Sequence, residues 1–147
     1  MSDRNIQVSF HALDKIDDSL LEYAVICSFH KCQLVCVRHR ERLSWEIPGG
    51  RREVGEKIDA CAVRELMEET GAEVFDIRPL CEYEVEIGSR HSFGRLYMAQ
   101  IETLGSLPEY EIAEIGFFSE LPKVLTYPEI QPKLLEKAMQ IVSISIT

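Results

Sequence analysis

At 147 residues, with 46% hydrophobic and 28% charged residues, the chain has the composition of a soluble globular domain and the length to bury a core. No apolar run approaches the roughly 18–20 residues that span a bilayer, and the N-terminal stretch MSDRNIQVSFHALDK lacks the basic and apolar regions of a secretory signal. The net charge of −9 is the wrong sign for generic nucleic-acid binding, but it leaves room for an anionic small molecule recruited through a bound cation.

In chain order, Ile6 to Phe10 alternates like a short strand and Asp14 to Ser19 reads as a turn. Leu21 to Phe29 is an apolar, β-branched run expected to form a buried strand. His30-Lys31 is read as a tight turn, and Gln33 to Val37 as the second strand of a hairpin. Arg38 to Arg42, RHRER, is a basic cluster in an acidic protein. Trp45 to Pro48 is expected to be extended, because Pro48 biases Ile47 away from helix. Gly49-Gly50 then admits backbone conformations closed to other residues.

A helix is predicted from about Ile58 to Thr70, with Asp59 favourable in its first turn and Gly71 as its stop. On a wheel of roughly 100° per residue, Ala60, Val63, Leu66 and Met67 form the expected apolar arc. Glu65, Glu68 and Glu69 fall on the other side, near the small residues Cys61 and Ala62. Glu73 to Ile87 reads as one long or broken strand with Pro79 as the candidate break, Gly88 to Gly94 as a loop, and Arg95 to Ile101 as a strand. Glu102 to Ala113 is an acidic loop, Ile115 to Phe118 a short strand, and the segment from Tyr127 a helix carrying Ile130, Leu134, Leu135, Ala138 and Ile141 at helical spacing. Strands on both sides of a central helix, with a second helix at the end, predict an α/β fold with a mixed sheet covered by helices, in one domain over 1–147. The five cysteines are odd in number and contain no Cys-x-x-Cys pair, which fits reduced thiols in a cytoplasmic protein.

The chemistry concentrates between Gly49 and Ala72. Glu65, Glu68 and Glu69 are spaced i, i+3, i+4 and share one stripe of the helix. Such like charges repel by about 0.2–0.5 kcal/mol per exposed pair, so the arrangement gains nothing unless a cation sits before it. A hard divalent ion bound through oxygens fits. Arg64 lies one turn before Glu68 and is placed to pair with it. Arg38, at a strand end, is a candidate for substrate phosphate. Arg90, His91 and Arg95 form a second basic patch that reads mainly as surface charge. His30, His39 and His91 have no metal-ligand spacing. Tyr83, Phe93, Tyr97, Phe117 and Phe118 are mostly core, with a base-stacking residue conceivable among them.

The run Gly50, Glu56, Arg64-Glu65-Leu66, Glu68-Glu69, Gly71 and Ala72 resembles the Nudix hydrolase signature. Ala72 departs from it, standing where a bulkier aliphatic is usual, a change that concerns packing at the helix exit. The preceding Trp45 to Gly50, WEIPGG, is similar to the family's lead-in. The signature covers about a sixth of the chain, and the surrounding order of elements is consistent with a Nudix-type α/β/α sandwich. The resemblance implies hydrolysis of a nucleoside diphosphate linked to another group, with Mg²⁺ or Mn²⁺ required. It implies that Glu65, Glu68 and Glu69 hold metal, with help from the backbone at Gly49-Gly50, and that Glu56 and Arg64 fix the loop and orient those glutamates.

One of these glutamates, or a carboxylate from a distant loop, then acts as base; Glu111 and Glu114 are the candidates in the acidic loop. The expected site is therefore Glu65, Glu68, Arg64 and Glu56 for catalysis, Arg38, Gly49 and Gly50 for substrate, and Glu65, Glu68, Glu69 and Glu111 for metal. The chain lacks the downstream features of members that cleave NADH, ADP-ribose or dinucleoside polyphosphates. The compact layout resembles the members that act on nucleoside triphosphates, including oxidised dGTP, which is the expected substrate class; RNA 5′-end pyrophosphohydrolysis stays open, although the net negative charge gives RNA little to hold. The alternatives are another nucleoside diphosphate derivative and a nucleotide-binding or regulatory module without turnover. An isopentenyl diphosphate isomerase-type enzyme is disfavoured because Cys61 lies inside the helix. No nucleic-acid or membrane partner is expected, and a homodimer is left open.

Overall fold

The computed structural model describes residues 5–107 and 112–146. Its strands are β1 (Ile6–His11), β2 (Leu21–His30), β3 (Gln33–His39), β4 (Gly49–Arg51), β5 (Ala72–Ile87), β6 (Arg90–Leu104) and β7 (Ile112–Phe118). Its α-helices are α1 (Ile58–Thr70) and α2 (Gln131–Ile146). The sheet runs β1-β5-β6-β2-β3-β7, with β4 also on β2. The β2–β6 pair is parallel and the others are antiparallel, so the sheet is mixed.

Strand alternation sends successive side chains to opposite faces. Ala24 and Ile26 of β2 pack with Cys61, Ala62 and Leu66 of α1. Val25 and Cys27 pack with Leu134 and Ala138 of α2 on the other side. The result is an α/β/α sandwich with a mixed sheet, the architecture expected from the sequence. Among the described residues, no helix is long and apolar enough to cross a membrane.

Helix α1 has the predicted bounds. Gly71 ends it in the left-handed region at φ 75°, with its N–H donating to the Met67 carbonyl at 3.0 Å. The predicted apolar arc, however, is rotated. The buried residues are Ile58, Cys61, Ala62, Leu66, Glu69 and Thr70, whereas Ala60 is exposed and Met67 is 46% exposed. The stripe through Ile58, Cys61, Ala62 and Leu66 also contains Glu65 and Glu69. The carboxylates therefore share the sheet-facing side of α1 instead of lying opposite it.

Pro79 does not break β5. It sits beside a register shift between Pro79 and Cys81, outside the Glu82–Ile87 stretch that β1 pairs with, where a missing N–H costs least. The segment predicted as a loop from Gly88 to Gly94 is mostly strand. Ile87 pairs with Arg90, so Gly88-Ser89 is a two-residue hairpin turn with Gly88 at φ 62°. The first hairpin turns at Lys31-Cys32, both at positive φ. The last helix starts at Gln131 rather than near Tyr127.

One feature of the sheet positions the site. β3 pairs with β2 through Phe29↔Leu34 and His30↔Gln33, whereas β4 pairs with β2 at Tyr23 to Val25. The two partners of β2 therefore part from one another. The segment between them, carrying Glu46 and Ile47, bridges to β3 at Val37↔Glu46. The carboxylate-bearing side of α1 meets this parting.

Candidate functional site

β4 holds the first part of the site. Its backbone runs so close to β2 that a Cβ on Gly49 would lie 2.4 Å from the Ala24 carbonyl oxygen. At Gly50 the missing side chain leaves room for a functional group, because a Cβ there would lie 2.0 Å from Glu65 Oε2. The Gly49 N–H donates to Glu69 Oε1 at 2.9 Å, and the Cys61 thiol faces the Gly50 carbonyl at 3.8 Å. The small side chains at 61 and 62 let the loop pack against α1, as their size predicts. Gly50→Ala is expected to displace the Glu65 carboxylate by about 1 Å and lower turnover about 10²-fold. Circular dichroism should show an unchanged fold; steady-state kinetics provides the check.

Arg64 braces the site from the loop side. Its Nε and Nη2 donate to Glu56 at 2.7 and 2.9 Å, its Nη1 to Glu68 at 2.9 Å and Glu65 at 3.2 Å, and its Nη2 also to the Arg51 carbonyl at 3.2 Å. This bidentate fork holds the Glu56 carboxyl down at about 2. Glu65 is shifted the other way, up to about 7, first by burial and then by the charge of Glu69. Two carboxylates of one loop-helix unit are thus pushed apart by their surroundings.

On the far side of the parting, Glu46 and Glu69 are both 7% exposed. His39 Nε2 lies 3.0 Å from Glu46 Oε1 and 3.4 Å from Glu69 Oε2. Its hydrogen bond to Glu69 raises the His39 pKa above the ordinary imidazole value, while burial raises that of Glu46. Arg42 Nη1 also approaches Glu46 Oε1, at 3.4 Å.

These groups line one end of a cleft of about 480 Å³, within the range of small-molecule sites. The other end is apolar, with Tyr23, Val25, Tyr83, Val85 and Ile87 of the sheet facing Ile130 and Leu134. Arg51 lies over the Tyr23 ring, 5.7 Å from its centroid.

Of the residues singled out in the sequence, Gly49, Gly50, Glu65 and Glu69 line this cleft. Glu68, Glu56 and Arg64 form the ion-pair network beside it. Arg38 is not brought there: its guanidinium donates to Glu114 Oε1 at 3.0 Å and to the Arg42 carbonyl at 2.8 Å. Next to it along the strand, His39 is the residue that faces the carboxylates, and neighbouring strand residues project oppositely. Glu114 is thereby engaged with Arg38 at the β3–β7 pair. Glu111 lies outside the described residues. Arg95 is not a surface cation; it is buried against the fully buried Glu82, Nη2 to Oε2 2.6 Å, and also reaches Asp59 and Asp14.

His39, Glu46 and Arg42 are site residues that sequence reasoning missed. The available signal was Glu46 itself, a charge set between Trp45 and Ile47 in an otherwise apolar extended segment.

The donor set suits a hard dication. Glu65 and Glu69 line the cleft together with Gly50, whose backbone carbonyl lies beside the Cys61 thiol, and Glu65 carries repulsion from Glu69 that a cation would offset. Among the described residues the one group of three whose potential ligand atoms lie within 4.8 Å of one another is Glu84, Glu86 and His91, and none of the three lines the cleft. Burial pushes the Cys61 thiol up to about 12, which disfavours the nucleophilic thiolate.

The NUDIX domain family model matches residues 23–138. The chain is 34% identical over 122 residues to a Bacillus subtilis (strain 168) protein named "Putative 8-oxo-dGTP diphosphatase YtkD", covering 82% of this chain and 75% of that one. Among solved structures, the Bacillus subtilis pyrophosphohydrolase BsRppH superposes with a TM-score of 0.76 at 24% identity, covering 93% of this chain and 91% of that one. A UDP-X diphosphatase superposes with a TM-score of 0.72 at 20% identity, covering 89% and 66%.

Proposed function

The chain belongs to the Nudix family of hydrolases, enzymes acting on phosphoric anhydrides, and on that premise we propose that it cleaves a nucleoside triphosphate to the monophosphate and pyrophosphate, with oxidised dGTP as the first candidate. The observation that carries this reading is the cleft, which joins the carboxylates Glu65 and Glu69 to an apolar wall bearing Tyr23 and Tyr83. A nucleotide has the same two ends, a polyanionic chain and a flat, weakly polar base. The relative named for 8-oxo-dGTP supports the choice of substrate.

In this reading Glu65, Glu68 and Glu69 hold Mg²⁺ or Mn²⁺. When bound, the cation offsets phosphate charge and lowers the pKa of a coordinated water. The chain's own residues do the rest. Arg64 and Glu56 fix the loop and keep Glu65 and Glu68 aimed. Arg42 and Arg51, at the cleft wall, supply cationic contacts for the phosphates in place of Arg38. Water adds to phosphorus, the bridging P–O bond breaks, and pyrophosphate departs with the electron pair while Glu65 or Glu68 accepts the water proton. The apolar wall excludes water around the base and orients it.

A nucleotide panel with Mg²⁺ tests the proposal: triphosphates are assayed for orthophosphate with and without added inorganic pyrophosphatase, and nucleoside diphosphate sugars with added alkaline phosphatase, which frees orthophosphate from the monophosphate products. Triphosphates should give signal only when pyrophosphatase is present. Direct release of orthophosphate, or turnover confined to nucleoside diphosphate sugars, would refute the substrate assignment.

A further inference from the structure

Arg64 explains how Glu65 and Glu68 are held, but Glu69 has different neighbours. One of its oxygens accepts the Gly49 N–H, and the other faces His39. Three features of the fold put His39 there. The β3–β7 register slips between Arg38 and His39, an irregularity of the kind that re-aims a side chain. Val37 and Glu46 exchange two backbone hydrogen bonds, both 2.9 Å, which fix Glu46 beside β3. Gln131 Oε1 accepts the Ile47 N–H at 2.7 Å, so α2 anchors the same segment from behind. His39 is thus set between two buried carboxylates, at 3.0 Å from Glu46 and 3.4 Å from Glu69.

We propose that His39, braced by Glu46, is a positioning residue that presets the Glu69 carboxylate for a divalent cation. The inference rests on the reading of Glu69 as a cation-holding residue. Imidazole is a rigid ring with two side-chain torsions, and here its backbone and its outer partner are both fixed. A carboxylate paired with it at 3.4 Å, and held on its other oxygen by the Gly49 N–H, has fewer orientations left. Hydrogen-bond partners of this kind around a metal ligand are typically worth 10–100-fold in metal affinity or activity.

The test uses the metal-free protein and Mn²⁺ alone, by titration calorimetry. His39→Phe keeps the volume of the ring without its nitrogens, and His39→Ala is made alongside it so that a folding failure in one leaves the other. Both should bind Mn²⁺ about 10–100-fold more weakly. His39→Gln, which restores an N–H donor, should recover most of the affinity. Wild-type affinity in His39→Phe and His39→Ala overturns the proposal, as does a His39→Gln no better than the phenylalanine variant. Glu69→Gln is titrated in parallel. If Glu69→Gln is weakened while the His39 variants are not, only the role of His39 falls. If Glu69→Gln also binds like wild type, the cation-site reading itself falls.

Discussion

Replacing Glu65 by Gln is expected to cut turnover sharply and, at the same time, to stabilise the metal-free protein above neutral pH. The Glu65 carboxyl is raised from its ordinary 4.5 to about 7 by burial and by the charges of Glu69 and Glu68. A group raised in the folded state stabilises the fold fully below its unfolded value. That contribution is lost as pH rises through the folded value. The metal-free enzyme should therefore lose stability between about pH 4.5 and 7, by up to about 3 kcal/mol from this group. Glu65→Gln has no charge to desolvate. Its melting temperature should match wild type near pH 4.5 and exceed it above pH 7, by several degrees at roughly 2–4 °C per kcal/mol. Turnover should fall about 10³-fold, or about 4 kcal/mol in activation free energy. Melting curves across pH and steady-state kinetics on the same preparation check both halves.

The second large effect is expected at Arg64. Arg64→Ala deletes a two-bond fork to Glu56 and the contacts to Glu65, Glu68 and the Arg51 carbonyl. It leaves Glu56 and Glu65, only 14% and 15% exposed at their side chains, without that partner. Charge-assisted bonds of this kind are worth about 1.5–3 kcal/mol each before solvent screening, so a net loss of about 2–4 kcal/mol at neutral pH is expected. Glu56 fixes the pH dependence. Its carboxyl is depressed to about 2, chiefly by the Arg64 hydrogen bonds. Its contribution is present above about 4.5 and disappears as pH falls towards 2. The wild-type advantage over Arg64→Ala should narrow over that window. Arg64→Lys restores charge without the fork and should recover only part of the stability and activity. Denaturant melts at several pH values measure the difference.

The helix and the loop before it were legible because their signals are local. Asp59 and Gly71 mark the ends of α1, and the glycines at 49 and 50 mark a place where backbone and carboxylate must come close. The direction faced by α1 was not legible from apolar residues alone. Cys61 and Ala62 are small and lie outside the expected apolar arc, yet they form the buried stripe, and Met67 is long and apolar yet 46% exposed. Size matters less than fit where a loop and a helix meet closely.

Sequence alone leaves open whether Pro79 breaks the strand, because its cost depends on the neighbouring strand, and β1 pairs β5 only from Glu82 onward. His39 carries no metal-ligand spacing in the sequence. Its place is set by a register slip, an isolated bridge and a separate helix, each of which joins parts of the chain distant from His39. The Gly49 to Ala72 stretch specifies the chemistry locally, while the cleft wall of Tyr23, Tyr83, Ile130 and Leu134 is assembled only by the fold.

The central claim is that the carboxylates of α1 form a cation site. Titrating Mn²⁺ into metal-free wild type, Glu65→Gln and Glu69→Gln by calorimetry tests it most directly. A saturable exothermic or endothermic isotherm in wild type that weakens at least tenfold in each variant is the predicted result. Equal affinity in all three proteins, or no binding in wild type, would contradict it.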